Sequence, residues 1–137
     1  MAGGPWVILI GALSIASGIL YTAGPYPLAY NGLGDFFVFL FFGMAGVCGT
    51  IFVQQRFVPA IAFFISLPVG FLSTAILVVN NVRDESTDRM SNKKTLVVRF
   101  GRMFGIWEYR CFLLLSYLCP VLLFLGGRWG LLSLLPL

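Results

Sequence analysis

Apolar residues in this chain do not alternate with polar ones; they come in long runs separated by short polar breaks. The runs cover residues 5–21, 36–53, 57–79 and 103–125, each near the ~17–25 residues an α-helix needs to cross ~30 Å of hydrocarbon. Backbone groups inside lipid have no water to bond, so runs of this length must close their hydrogen bonds internally as helices. The pattern therefore predicts an all-α, multi-pass transmembrane bundle of four spans. A further apolar run, Trp129 to Leu137, is too short to cross and reads as a truncated fifth span. Composition agrees. Of 137 residues, 59% are hydrophobic and 10% charged, and the mean hydropathy of +0.95 lies outside the range of soluble domains. Membrane lipid is the first expected partner, and nucleic acid is not one.

The start of the chain has no basic stretch ahead of its apolar run, so the first span reads as retained rather than as a cleaved signal. Lys and Arg are concentrated in cytoplasmic loops. The break after the second span holds only Arg56, whereas the segment after the third holds Arg83, Arg89, Lys93, Lys94, Arg99, Arg102 and Arg110. That segment, with its aspartate-rich part at residues 80–102, is placed in the cytoplasm, at the cell (inner) membrane. Two spans separate it from the Gly/Pro-rich connection Ala23 to Gly32, so both loops emerge on one face and can meet. Gly43, Gly46 and Gly49, and Ser14 with Gly18, read as small residues that let helices approach closely. Pro68 reads as a bend in the third span. Cys48, Cys111 and Cys119 form no C-x-x-C pair and read as packing residues.

Chemistry concentrates after the third span. If that helix continues, Asn80, Asn81, Asp84 and Asp88 share one face, and the two aspartates lie one turn apart. Acidic groups contribute little to orientation and are costly near hydrocarbon, which favours a functional reading over a topological one. The chain has no histidine, which excludes His-ligated zinc and Ser-His-Asp chemistry within it. Oxygen ligands of this kind suit Mg²⁺, which takes carboxylates, water and phosphate oxygens. A calcium EF-hand fails because Arg89 stands where the loop needs glycine. Arg83, Lys93, Lys94 and Arg99 interleave with the acids, so a diphosphate could be held both directly and through the metal. The plainer reading of these cations is topology and contact with anionic headgroups.

The run Asn80-Asn81-Val82-Arg83-Asp84-Glu85-Ser86-Thr87-Asp88-Arg89, with Asn92-Lys93-Lys94-Thr95-Leu96-Val97-Val98-Arg99-Phe100-Gly101, resembles the second aspartate-rich motif of the UbiA-type membrane prenyltransferases, most closely their MenA branch. Tyr21 to Gly34 resembles that branch's loop between its fourth and fifth helices, with Ala23 where glycine is more usual. The resemblance implies a nine-helix fold of which this chain is part of the C-terminal half, with a first aspartate-rich motif belonging to an N-terminal half. It implies Mg²⁺ held by Asp84 and Asp88 with Asn80 and Asn81 assisting, and diphosphate contacts from Arg83, Lys93, Lys94 and Arg99. It implies a polyprenyl diphosphate donor and an aromatic quinone precursor, 1,4-dihydroxy-2-naphthoate, on the route to menaquinone. Tyr21, Tyr26 and Tyr30 could line the reacting centre, since aromatic faces stabilise cations by ~0.5–2 kcal/mol each; an interfacial aromatic belt is the alternative.

Two other readings remain. One is a non-catalytic membrane fragment that keeps the packing without the chemistry. The other, an ion-coupled transporter segment, fits less well, because the charges cluster at one helix end and the mid-span positions carry none.

Overall fold

The structure, a computed structural model, describes residues 4–22 and 27–126. Helix α1, Gly4–Thr22, ends where the Thr22 hydroxyl donates back to the Gly18 carbonyl at 3.4 Å. Pro27, with its φ fixed near −62°, leads into a 3₁₀ turn, Leu28–Asn31. That turn closes on Gly32, whose left-handed φ of 76° sends its N–H to the Leu28 carbonyl. Helix α2, Gly34–Gln55, follows, then α3, Ala60–Arg83, two short helices α4, Glu85–Met90, and α5, Leu96–Phe100, and finally α6, Arg102–Leu125.

Three helices, α2, α3 and α6, are long and apolar enough to cross a bilayer among the described residues. The first expected span, residues 5–21, coincides with α1, a helix of 19 residues. The truncated fifth run lies outside the described residues. Few side chains are buried: Ala62, Ala75, Val78 and Val97 form the apolar core, while Ile8, Ile15, Phe42, Ile76, Leu114 and Leu125 are more than half exposed, as lipid-facing side chains should be. The protein is a membrane protein.

Helix α3 is the centre of the bundle. Its buried positions Ala62, Ser66, Gly70, Thr74 and Val78 recur every four residues, a stripe of small side chains that admits neighbouring helices closely. At Gly43 of α2 the approach is closest: a Cβ there would stand 2.6 Å from the Gly70 Cα. The α2 backbone widens into a π-helix over Phe39–Ala45 around this contact. Of the glycines expected to serve packing, Gly43 does so; a Cβ added at Gly18 or Gly49 would meet nothing within 4 Å. The rings of Phe39, Phe71 and Phe112 tie α2, α3 and α6 together at centroid separations of 5.0 and 5.9 Å. Pro68 lies inside an unbroken helical assignment and Pro59 caps its start.

The segment 80–102 is mostly helical rather than a loop. Nothing stops α3 at residue 79, because Asn80 to Arg83 contain neither proline nor glycine and their backbones keep the helical ladder. The helix breaks at Asp84, φ −95° and ψ 11°. Thr95 starts α5 by accepting the Val98 N–H on its hydroxyl at 3.3 Å. Gly101, φ 88°, ends α5 and redirects the chain into α6. There Gly105 lets α6 press on Val82 and Val97, which a Cβ would meet at 2.6 and 2.8 Å.

Candidate active site

The two polar segments meet. The Lys94 N–H donates to the Tyr30 carbonyl at 2.8 Å, and the Arg99 Nη2 donates to the Asn31 carbonyl at 2.8 Å. Gly32 lies under this junction, where a Cβ would come within 2.8 Å of the Lys94 carbonyl oxygen.

A cavity of about 360 Å³ lies beside the junction. From α3 and α4 it takes Asn80, Asn81, Asp84 and Asp88; from the following turn, Lys93 and Thr95. The opposite segments contribute Tyr21, Thr22, Tyr30 and Asp35. The four residues expected on one helical face do share one cavity, although they do not share one helix. The Asp84 N–H still bonds to the Asn80 carbonyl and the Asp88 N–H to the Asp84 carbonyl, at 2.9 and 2.8 Å, so the break at Asp84 preserves the spacing of a turn.

Each aspartate holds a cation. Asp88 is 5% exposed, and its Oδ1 accepts from Lys93 Nζ at 2.8 Å. That ammonium also sits 5.3 Å from the Tyr30 ring centroid, within reach of a cation–π contact. The hydrogen bond to Asp88 pushes the Lys93 ammonium above its ordinary range. Asp84 is more open and takes a two-pronged contact from Arg83, Nε to Oδ1 and Nη2 to Oδ2, both 2.8 Å. That guanidinium holds the Asp84 carboxyl below the usual carboxylate range.

The donor set fits Mg²⁺. Two carboxylates and two carboxamides line one cavity, and both carboxylates already accommodate a positive group. Among the described residues no three acidic or thiol groups are placed to hold one metal ion, so any ion bound here would draw further ligands from elsewhere. Mg²⁺ is characteristically bound through one or two carboxylates, with water and phosphate oxygens completing the octahedron.

Not every expected residue lines this cavity. Arg83 reaches it only through Asp84, Lys94 through its backbone, and Arg99 instead anchors the 3₁₀ turn. Tyr26 lies outside the described residues. Asp35, Thr95 and Glu108 were not expected. Asp35 Oδ1 and Glu108 Oε2 are buried without a hydrogen-bond partner. Both lie in the membrane-crossing helices α2 and α6, Asp35 in the first turn of α2. The available signal was an acid inside an apolar run at Glu108 and one just ahead of a run at Asp35, a functional flag in lipid.

A second cavity, about 440 Å³, lies between α1 and α2. It is lined by Phe37, Val38, Phe41 and Phe42 with Ser14 and Gly18, and Tyr21 belongs to both cavities.

Acids, amides and an ammonium thus line one cavity at a helix end of the membrane bundle, beside an apolar cavity. The UbiA prenyltransferase family matches residues 1–137, and the chain belongs to that family. It is 38% identical over 125 residues to the 1,4-dihydroxy-2-naphthoate octaprenyltransferase of Mycobacterium leprae, covering 91% of this chain and 42% of that protein. The protein of the same name from Escherichia coli is 40% identical over 131 residues, 93% of this chain and 42% of the relative. A UbiA prenyltransferase domain-containing protein 1 from Dictyostelium discoideum is 33% identical over 112 residues, 82% of this chain and 34% of its own length. The chain thus spans about two fifths of the length of the first two relatives. No solved structure matches it.

Proposed function

We propose that this chain supplies the diphosphate-binding half-site of a Mg²⁺-dependent prenyltransferase that moves a polyprenyl group from its diphosphate to an aromatic acceptor. The acceptor is 1,4-dihydroxy-2-naphthoate, the substrate in the names of the bacterial relatives, on the route to menaquinone. The observation that carries the reading is the convergence of Asn80, Asn81, Asp84, Asp88 and Lys93 on one cavity.

Asp84 and Asp88 would hold the metal, assisted by Asn80 and Asn81. Bound there, Mg²⁺ would neutralise charge developing on the leaving diphosphate. Lys93, drawn from Asp88 to phosphate oxygens, would keep its charge throughout. The bond between the prenyl C1 and the diphosphate oxygen breaks with its electron pair on oxygen. The ring carbon bearing the carboxyl forms the new carbon–carbon bond, and the carboxyl leaves as CO₂. The Tyr30 face, already beside an ammonium, suits a nearby allylic cation. The apolar cavity behind Tyr21 suits the first part of an isoprenoid chain. The excess of Lys and Arg in residues 83–110 supports a cytoplasmic location for the site.

The test is prenyl transfer in membranes carrying this chain, alone and co-expressed with the N-terminal portion of the E. coli relative. Mg²⁺-dependent product that disappears with Asp88→Asn supports the proposal. No product in either arm, with both polypeptides inserted, supports instead a non-catalytic role in which Arg83 and Lys93 merely neutralise the two aspartates.

A further inference from the structure

The diphosphate reading leaves Asp35 without a task. Its residue is 6% exposed, it lines the same cavity as Asp84 and Asp88, and its Oδ1 has no hydrogen-bond partner. Burying a carboxyl oxygen unpaired costs stability, and the neighbours that could relieve it do not. Thr74 donates at 3.5 Å to the backbone carbonyl of Asp35, not to its side chain. The Tyr21 hydroxyl comes within 3.1 Å of where a Cβ on Gly34 would stand, beside Asp35 but unbonded to it. On α6, Glu108 Oε2 is likewise buried and unpartnered.

The position of Asp35 selects among ligand chemistries. A bare divalent cation needs several oxygen ligands, and among the described residues no third acidic group joins these two. A carboxylate or phosphate would meet another acidic group at Asp35 rather than a cation. A hydroxyl needs one acceptor and no counter-charge. Tyr21 and Leu77, which line the same cavity, offer a ring face and an apolar side chain against which an aromatic body could rest.

We propose that Asp35 is the hydrogen-bond acceptor for a ring hydroxyl of the aromatic acceptor, and so fixes which way round that acceptor enters. This rests on the prenyl-transfer reading. The hydroxyl points toward Asp35, and the acceptor's own carboxylate is turned away from the acid pair toward Lys93. The cavity then has two ends of opposite character: cation-binding and diphosphate-holding at Asp84 and Asp88, hydroxyl-accepting at Asp35.

The experiment is a binding titration with the full chain in nanodiscs. The ligands are 1,4-dihydroxy-2-naphthoate, 2-naphthoate, which lacks both hydroxyls, and Mg²⁺ with pyrophosphate. A charge-assisted hydrogen bond predicts that the wild-type chain prefers the dihydroxy compound by on the order of tenfold or more. Asp35→Ala should abolish that preference, leave pyrophosphate binding intact, and match or exceed the wild-type thermal stability, because it removes an unsatisfied group. Asp35→Asn, which keeps the shape, should retain part of the preference. An undiminished preference in Asp35→Ala overturns the assignment, as does its absence in wild type. Loss of stability together with loss of every ligand would mark a structural role and also overturn it. Absence of Mg²⁺-dependent pyrophosphate binding in wild type would instead defeat the prenyl-transfer reading itself.

Discussion

Replacing Lys93 by methionine separates two roles that the structure gives one ammonium. Lys93 occupies Asp88, which is 5% exposed, through a 2.8 Å contact. A metal ion must displace that ammonium to reach Asp88. Hydrogen bonds to charged groups contribute about 1.5–3 kcal/mol, and the 31% exposure of the Lys93 side chain places the value toward the lower end. Since about 1.4 kcal/mol corresponds to tenfold in affinity, Lys93→Met should bind Mg²⁺ about tenfold more tightly than wild type. Methionine has about the right length to keep contact with the Tyr30 ring. At saturating Mg²⁺ the same variant should bind pyrophosphate more weakly, because a direct phosphate partner is gone. Without metal it should be less stable, because Asp88 is left buried and unpaired, and Mg²⁺ should restore the difference. Calorimetric titration in detergent, with thermal unfolding alongside, measures all three. Unchanged or weaker Mg²⁺ binding by Lys93→Met would refute the idea that metal and ammonium compete for Asp88.

Three other outcomes follow from local geometry. Gly32→Ala forces a left-handed φ of 76° on a residue with a side chain and sets its Cβ 2.8 Å from the Lys94 carbonyl oxygen. It should cost about 1–2 kcal/mol from the backbone conformation alone, and speed hydrogen exchange at the Lys94 amide. Gly43→Val drives a side chain into the Gly70 backbone, where a Cβ alone would stand 2.6 Å from the Gly70 Cα, and should destabilise by about 1–3 kcal/mol. Gly49→Ala, with nothing within 4 Å, should leave thermal unfolding unchanged. Asp84 is held below the ordinary carboxylate range and Lys93 above the ordinary ammonium range. The contribution of the Asp84 pairing is present above ~3.9 and lost as pH falls through its lowered value; that of Lys93 is present below ~10.4 and lost as pH rises through its raised value. Pyrophosphate affinity at saturating Mg²⁺ should therefore show no step assignable to either group between pH ~5 and ~9. A step in that window removed by Lys93→Met would contradict the assignment.

The membrane-crossing helices were legible because hydrocarbon thickness and backbone hydrogen bonding leave a long apolar run few alternatives. The meeting of the two polar segments was legible from parity, two spans apart. The acids were found because Asp84 and Asp88 stand one turn apart in a polar stretch that draws the eye. Asp35 and Glu108 were missed for the opposite reason: each is a single acid, one at the edge of an apolar run and one inside a run, and only the fold shows that each buries an unpartnered oxygen. Arg99 illustrates a second limit. Its charge resembled a phosphate ligand, whereas its guanidinium reaches back 68 positions to the Asn31 carbonyl. A long-range contact of that kind leaves no local pattern. Helical content in residues 80–102 was also hidden, since Thr95 as a cap and Gly101 as a stop act through backbone geometry that charge counting does not register.

The central claim is that Asp84 and Asp88 together make a metal-dependent grip on a diphosphate. Calorimetric titration of pyrophosphate into the chain, with and without Mg²⁺, measures that grip without requiring turnover. The account predicts binding that depends on Mg²⁺ in wild type and disappears in the folded double variant Asp84→Asn, Asp88→Asn. Equal affinity in that variant, or binding in wild type that ignores Mg²⁺, would contradict it.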